Sequence, residues 1–153
     1  MIRRISALMG LALLVATGTA FAQTPGPTLA EAKKAMIAAQ NAAMKMNTRL
    51  SCVILDSRGD VIAAERMDMA RYFTINVATG KARAAATFGQ PSAALGGMAA
   101  MRIDQAIDGP QMLFIQGAVP ITRNNQVVGA MGCSGGSGQQ DEDAAKAGIA
   151  AMQ

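Results

Sequence analysis

The sequence contains no histidine and no tryptophan, and only one tyrosine and two cysteines occur among its 153 residues. The lack of histidine excludes Ser-His-Asp and Cys-His catalysis as well as the common zinc sites. Any chemistry must come from carboxylates, lysine, arginine, tyrosine, cysteine, methionine or a bound cofactor. With no basic cluster and a single tyrosine, the sequence also gives no indication of nucleic-acid binding.

Apolar runs long enough to span a membrane are absent too. The apolar run at residues 5–15 follows two arginines and precedes Ala20-Phe21-Ala22. A basic start, an apolar stretch and an A-x-A site in this order are typical of a secretory signal peptide. We therefore expect residues 1–22 to be a signal peptide cleaved near Ala22. Residues 23–153 then form a single domain in the periplasm or outside the cell.

Acidic and basic side chains nearly balance in the mature protein. The whole sequence has 14 lysines and arginines against 10 acidic residues, a net charge of +4. Loss of the two leader arginines leaves 12 against 10, a net charge of about +2. This weak charge favours no polyanionic partner.

The most distinctive stretch covers residues 127–148, where a small-residue strand runs through glycines into a helix. Ser137 and Gln140 have the spacing of a capping box. No lysine follows the glycines as a phosphate loop requires, and the spacing does not fit a dinucleotide fingerprint. The glycines can form either a tight strand-to-helix turn or a turn that exposes backbone N–H groups to a ligand.

Hydrophobic periodicity and turn residues predict four helices and five strands. The helices are expected at residues 28–45, 71–88, 92–107 and from Gln140 to the C-terminus. The strands are expected at residues 50–56, 61–67, 112–116, 119–123 and 126–133. Asn124-Asn125 is a suitable hairpin tip because asparagine tolerates left-handed backbone angles. This order predicts one α+β domain with helices on both faces of an antiparallel sheet.

Five separated motifs together resemble one protein family. They are Glu65-Arg66-Met67-Asp68, Lys81-Ala82, Gly117-Ala118-Val119-Pro120-Ile121, residues 129–135 and Gln140-Asp141-Glu142. In this order they resemble the GlcG/HbpS family of haem-binding proteins, which is similar to the C-terminal domain of PduO-type proteins. The resemblance runs from about Thr28 to the end of the chain.

The resemblance implies a profilin-like α/β/α sandwich with a five-stranded antiparallel sheet in the order 2-1-5-4-3. In that order the first and fifth strands are neighbours, so Cys52 should lie near Cys133. Export makes a disulfide between them possible. The alternative is a pair of buried thiols that behave as small apolar residues.

The resemblance also implies haem, or another anionic small molecule, as ligand. The matching positions give eight candidate ligand-binding residues: Arg66, Met67, Asp68, Tyr72, Lys81, Ser134, Gly135 and Asp141. Arginine and lysine suit the haem propionates. Some members of the family use an iron-bound histidine, which this chain lacks, so Met67, Tyr72 and Cys133 become the candidate iron donors. A homo-oligomer and a membrane sensor or transporter as partner are further expectations.

Two other interpretations remain open for the same residues. Arg66, Asp68, Lys81 and Asp141 can form an ion-pair network that only joins the elements. Alternatively, the protein is a small enzyme or accessory subunit for a carboxylated metabolite, with Lys81 as base and Arg66 binding the carboxylate. We expect a binding protein rather than an enzyme, with Arg66, Lys81 and the glycine turn around a single cavity.

Overall fold

The computed structural model describes residues 26–94, 96 and 111–153. The predicted helix at residues 92–107 lies largely outside them. The described part contains α1 (Leu29–Lys45), β1 (Ser51–Asp56), β2 (Val61–Arg66), α2 (Thr74–Phe88), β3 (Ala118–Arg123), β4 (Gln126–Ser134) and α3 (Gly138–Ala150). The strands form an antiparallel sheet in the order β2-β1-β4-β3. Helix α2 packs on one face, and α1 and α3 pack on the other. The predicted α+β class with an antiparallel sheet is confirmed.

The strand predicted at residues 112–116, third along the chain, is wrong, because within the described residues the sheet has four strands and not five. Residues 112–116 instead run along α2. The backbone N–H of Leu113 donates to the Gly80 carbonyl of that helix at 3.0 Å. The Ile115 carbonyl accepts a hydrogen bond from the Ser92 hydroxyl at 2.6 Å. These backbone groups are engaged by a helix and a side chain, so they do not pair with β3.

Capping boxes are present at Thr28 in front of α1 and, as predicted, at Ser137 in front of α3. At the first, the Glu31 carboxylate accepts hydrogen bonds from the Thr28 backbone N–H at 2.7 Å and from Arg123 Nη2 at 2.6 Å. The Thr28 N–H and then the Arg123 guanidinium lower the pKa of Glu31 to about 2. This carboxylate therefore joins the start of α1 to the end of β3.

The hairpin tip between β3 and β4 is the one that the sequence predicts. Asn124 and Asn125 have φ angles of +49° and +60°. Two consecutive residues in the left-handed region match the right-handed twist of the flanking strands. Asparagine adopts these angles at lower cost than most other residues.

Helix α2 approaches the sheet closely because small residues line both surfaces. Ala78, Ala82 and Ala85 are fully buried against Val53 and Leu55 of β1. At Gly132 of β4, a Cβ atom would lie 2.5 Å from the Ala78 carbonyl oxygen. Only glycine permits this approach of strand to helix.

Candidate functional site

A buried ion pair joins α2 to the start of α3. Lys81 Nζ lies 2.9 Å from Asp141 Oδ2, and both side chains are 3% exposed. The ammonium also donates to the Cys133 carbonyl at 3.2 Å. The other oxygen of Asp141 accepts the Gly136 N–H at 2.9 Å. Each buried charge therefore has a second hydrogen-bond partner, as a buried pair requires.

Gly117 provides the space for this pair. Its φ angle is +136°, and a Cβ atom there would lie 2.5 Å from Lys81 Nζ and 2.9 Å from the Asp141 Cβ. Its carbonyl accepts the Cys133 N–H at 2.8 Å. Both the backbone angle and the close approach require glycine.

A cavity of about 330 Å³ opens beside the ion pair. We call it the glycine-turn cavity. Its wall is formed by the start of α2, the segment before β3, the end of β4 and the first turn of α3. The lining residues are Arg71, Phe73, Thr74, Val77, Lys81, Ile115, Gln116, Ser134, Gly135, Gly136, Gly138 and Asp141. Four of the predicted ligand-binding residues meet here: Lys81, Ser134, Gly135 and Asp141.

Three other predicted residues lie around a different cavity, of about 350 Å³. We call it the α1–β2 cavity, and it is lined by Gln40, Met44, Arg49, Arg66, Met67 and Asp68. The expectation that Arg66 and Lys81 border one cavity is therefore wrong. The register explains the separation, because Arg66 pairs with Ser51, and Ser51 in turn pairs with Ser134. Arg66 and Ser134 are therefore two strand spacings apart, roughly 10 Å.

Tyr72 lines neither cavity. Its side chain is 85% exposed, and its ring meets that of Phe73 edge-on with centroids 5.5 Å apart. Phe73 does line the glycine-turn cavity. The tyrosine therefore lies on the surface next to that cavity.

Cys52 and Cys133 face each other in the ladder between β1 and β4, and the structure joins them by a disulfide. Their Cα atoms are 4.1 Å apart. Both residues are buried in the core shared with α1 and α3. Cys133 Sγ is bonded in this way and points into the core, so it lines neither cavity.

The predicted ion-pair network is present only in part. Lys81 and Asp141 are paired, whereas Arg66 and Asp68 make no ion pair within the described ranges. An ammonium held in an ion pair has no lone pair with which to accept a proton. The observed geometry of Lys81 therefore suits a donor or a structural cation better than a general base.

Several cavity residues were not identified from the sequence. In the glycine-turn cavity these include Arg71, Ile115 and Gln116, and in the α1–β2 cavity they include Met44 and Arg49. For Met44 the sequence contains a signal, because its spacing of four residues from Gln40 places both side chains on the same face of α1. For Ile115 the sequence contains no such signal, because its pattern predicts a strand that does not form.

Among the described residues, no group of three or more acidic or cysteine side chains is arranged to hold a metal ion. The helices of this part of the chain are also too short or too polar to cross a bilayer.

Residues 28–150 match a family described as haem degrading protein HbpS-like. The match covers most of the chain, and the fold agrees with it. The chain belongs to this HbpS-like family.

Solved structures and one further protein resemble the chain. The crystal structure of a double mutant of HbpS from Streptomyces reticuli is 32% identical, with a TM-score of 0.75, and the alignment covers 93% of this chain and 97% of that one. The crystal structure of a PduOC:heme complex is 25% identical, with a TM-score of 0.70, covering 83% and 95% of the two chains. A 15.0 kDa protein encoded in the dhaT-dhaS intergenic region of Citrobacter freundii is 29% identical in an alignment of length 124 that covers 74% of this chain and 83% of that protein.

Proposed function

We propose that the mature chain is an exported protein that binds haem or a related tetrapyrrole, for buffering, transport or redox sensing. Membership of the HbpS-like family supports this proposal, as does the similarity to a PduOC chain that was crystallised with heme. When bound, haem supplies a redox-active iron and a strong visible absorbance.

The α1–β2 cavity has the side chains that a haem needs. The sequence has no histidine, and both cysteines form the disulfide, so a soft iron donor has to be a methionine thioether. Met44 and Met67 both line this cavity. The combination of two thioethers with two arginines in one wall is the observation that carries the proposal.

The arginines of this wall are available for anionic groups. Arg66 makes no hydrogen bond or ion pair with its side chain in the part of the structure that is described. Arg49 donates to the neighbouring Thr48 carbonyl at 3.0 Å and keeps its other donors. Guanidinium groups bind carboxylates in a bidentate manner, as the two haem propionates require. With Asp68 as the acidic residue of the wall, the cavity keeps a net positive charge.

The size of the cavity determines how a haem would be held. About 350 Å³ lies at the lower end of the range for small-molecule sites. A haem would therefore be gripped along one edge, with the opposite edge outside the cavity. Such partial enclosure suits a protein that passes haem on or buffers it.

A matched pair of methionine variants tests the proposal. Met67 and Met46 are both partly buried and packed against the same core, but only Met67 lines the α1–β2 cavity. Leucine keeps the volume of methionine and removes the sulfur donor. In hemin titrations followed by the Soret band, Met67→Leu is expected to weaken binding about tenfold or to change the band position, since one good contact is worth about this factor. Met46→Leu is expected to behave as the wild type.

The result that overturns the proposal is a wild-type protein that gives no shifted Soret band near one equivalent of hemin. Equal hemin affinities and equal Soret band positions of the two leucine variants would instead show that Met67 is not an iron ligand. Bleaching of the band on addition of ascorbate would indicate haem turnover rather than storage.

Arginine variants test the propionate contact independently. Arg66→Gln is expected to weaken hemin binding by about tenfold, because a hydrogen bond to a charged group is lost. Arg58→Gln is the control, since Arg58 lies on the exposed turn between β1 and β2 and pairs with Asp56. Equal affinities of both variants would contradict a role of Arg66.

Export of the protein rests on the sequence of residues 1–22. Expression of the full sequence in a Gram-negative host is expected to give a periplasmic protein that starts at Gln23. Intact mass and N-terminal sequencing measure this directly. A protein that keeps Met1 and remains in the cytoplasm would contradict it.

Self-association of the protein is supported by exposed apolar side chains. Met69 and Tyr72 are 91% and 85% exposed, and both lie in the short segment between β2 and α2. Neighbouring exposed apolar residues favour an interaction surface. Light scattering of the purified protein is expected to give a multiple of the mature mass, and a monomer would contradict this expectation.

A further inference from the structure

The glycine-turn cavity holds more hydrogen-bond donors than the protein itself uses. Ser134 is 6% exposed and lines the cavity, yet its hydroxyl makes no hydrogen bond to any residue that the structure describes. It is not sealed in the core either, because no fully enclosed side-chain oxygen or nitrogen of the described ranges lacks a partner. The hydroxyl therefore faces the cavity and is free to bind a ligand there.

Two more donors border the same space. Gly138 is the first residue of α3, and its N–H has no acceptor within the described chain. The side chain of Arg71 lines the cavity and, among the described residues, contacts no carboxylate. The 13-residue helix α3 adds the positive end of its dipole at this point.

The carboxylate of the wall and the Thr74 hydroxyl are already engaged within the protein. Both oxygens of Asp141 are engaged, one by Lys81 and the other by the Gly136 N–H. The Thr74 hydroxyl donates to the Arg71 carbonyl at 2.7 Å and contacts the Ser51 hydroxyl at 2.8 Å. Two cations face one carboxylate across the wall, so the cavity favours an anion.

The remaining wall limits the shape of that anion. Phe73, Val77 and Ile115 present apolar surface next to the donors. A volume of about 330 Å³ can enclose a small acid completely, but only one edge of a tetrapyrrole. A short apolar chain that ends in a carboxylate meets both requirements.

We propose that the glycine-turn cavity binds a carboxylate through the Ser134 hydroxyl, the Gly138 N–H and the Arg71 guanidinium, with apolar atoms of the ligand against Phe73 and Ile115. Lys81 and Asp141 hold the turn in shape below the ligand. The carboxylate belongs either to a free short-chain acid or to a haem propionate. The site is independent of the α1–β2 cavity and does not rest on haem binding there.

Butyrate and butyramide are the probes that test this site, since they differ mainly in charge. In amide-resolved NMR titrations, butyrate is expected to bind and to shift the Gly136 and Gly138 signals, whereas butyramide should bind at least tenfold more weakly. Ser134→Ala is expected to weaken butyrate about tenfold, because a hydrogen bond to a charged group is lost. Ser57→Ala, in the exposed turn between β1 and β2, is the control and should leave affinity unchanged.

Arg71→Gln, just before α2, should also weaken butyrate binding severalfold, and Arg83→Gln, within α2, is its control. Equal binding of acid and amide, absence of saturable shifts at millimolar butyrate, or an unchanged affinity of Ser134→Ala would each overturn the proposal. Competition identifies the source of the carboxylate. If hemin displaces butyrate, a propionate occupies the site, and if both bind together, the ligand is a free acid.

Discussion

Replacing one partner of the Lys81–Asp141 pair should destabilise the fold far more than replacing both. Both side chains are 3% exposed, so each charge left alone would be buried without its counter-ion. Removal of one member of such a pair costs about 3–5 kcal/mol. That is a large part of the roughly 5–15 kcal/mol by which domains of this kind are stable.

Asp141→Asn is the sharpest single change because it keeps the shape and removes the charge. The carboxylate now accepts from Lys81 through one oxygen and from Gly136 through the other. An amide has one oxygen, so its NH₂ group must face one of these two donors. We expect a loss of about 3–5 kcal/mol in the free energy of unfolding for this variant and for Lys81→Met.

The double variant Lys81→Met with Asp141→Leu removes both charges. Well-packed apolar replacements of a buried pair are often neutral, so we expect a cost of at most about 2 kcal/mol, well below the sum of the single changes. Because the chain has no tryptophan, urea unfolding at pH 7 is best followed by far-UV circular dichroism. Single changes that cost under about 1 kcal/mol, or costs that add in the double variant, would refute a dry, mutually dependent pair.

Three further changes test the scaffold. Gly117→Ala should lower the free energy of unfolding by at least about 2 kcal/mol because the new Cβ meets Lys81 Nζ, and a cost near zero would contradict that contact. Cys52→Ala with Cys133→Ala opens a loop of sequence separation 81 and should cost about 4 kcal/mol in urea unfolding, and two free thiols in the exported protein would exclude the bridge. Because the pKa of Glu31 falls from its ordinary value of 4.5 to about 2 on folding, its carboxylate stabilises the fold at pH values above 4.5. This contribution is lost as the pH falls through about 2. Glu31→Gln should therefore cost about 1 kcal/mol at pH 7 and progressively less as the pH falls through about 2, and a pH-independent cost would contradict the assignment.

The local parts of the fold could be predicted because their signals lie within a few residues of each other. The capping boxes at Thr28 and Ser137 and the asparagine turn at residues 124–125 are of this kind. The neighbouring positions of Cys52 and Cys133 required the strand order, which came from the family resemblance and not from periodicity.

The rest depended on contacts between distant segments. Residues 112–116 have a strand-like pattern, but the Gly80 carbonyl captures the Leu113 N–H and turns the segment along α2. Arg66 and Lys81 were expected to meet because both belong to motifs of one family. Their separation follows from strand register, which no single motif contains.

The alanine and glycine surfaces between α2 and the sheet also determine where any ligand can go. A planar ring inserted between Ala78 and Gly132 would have to force helix and strand apart along their whole length. A ligand therefore cannot enter between α2 and the sheet. The glycine-turn cavity and the α1–β2 cavity both lie at the edges of these layers, where turns and the ends of elements can change without repacking the interior. New ligand preferences in such a sandwich are therefore expected to arise from substitutions in the turns and element ends at its edges, while the core between helix and sheet stays the same.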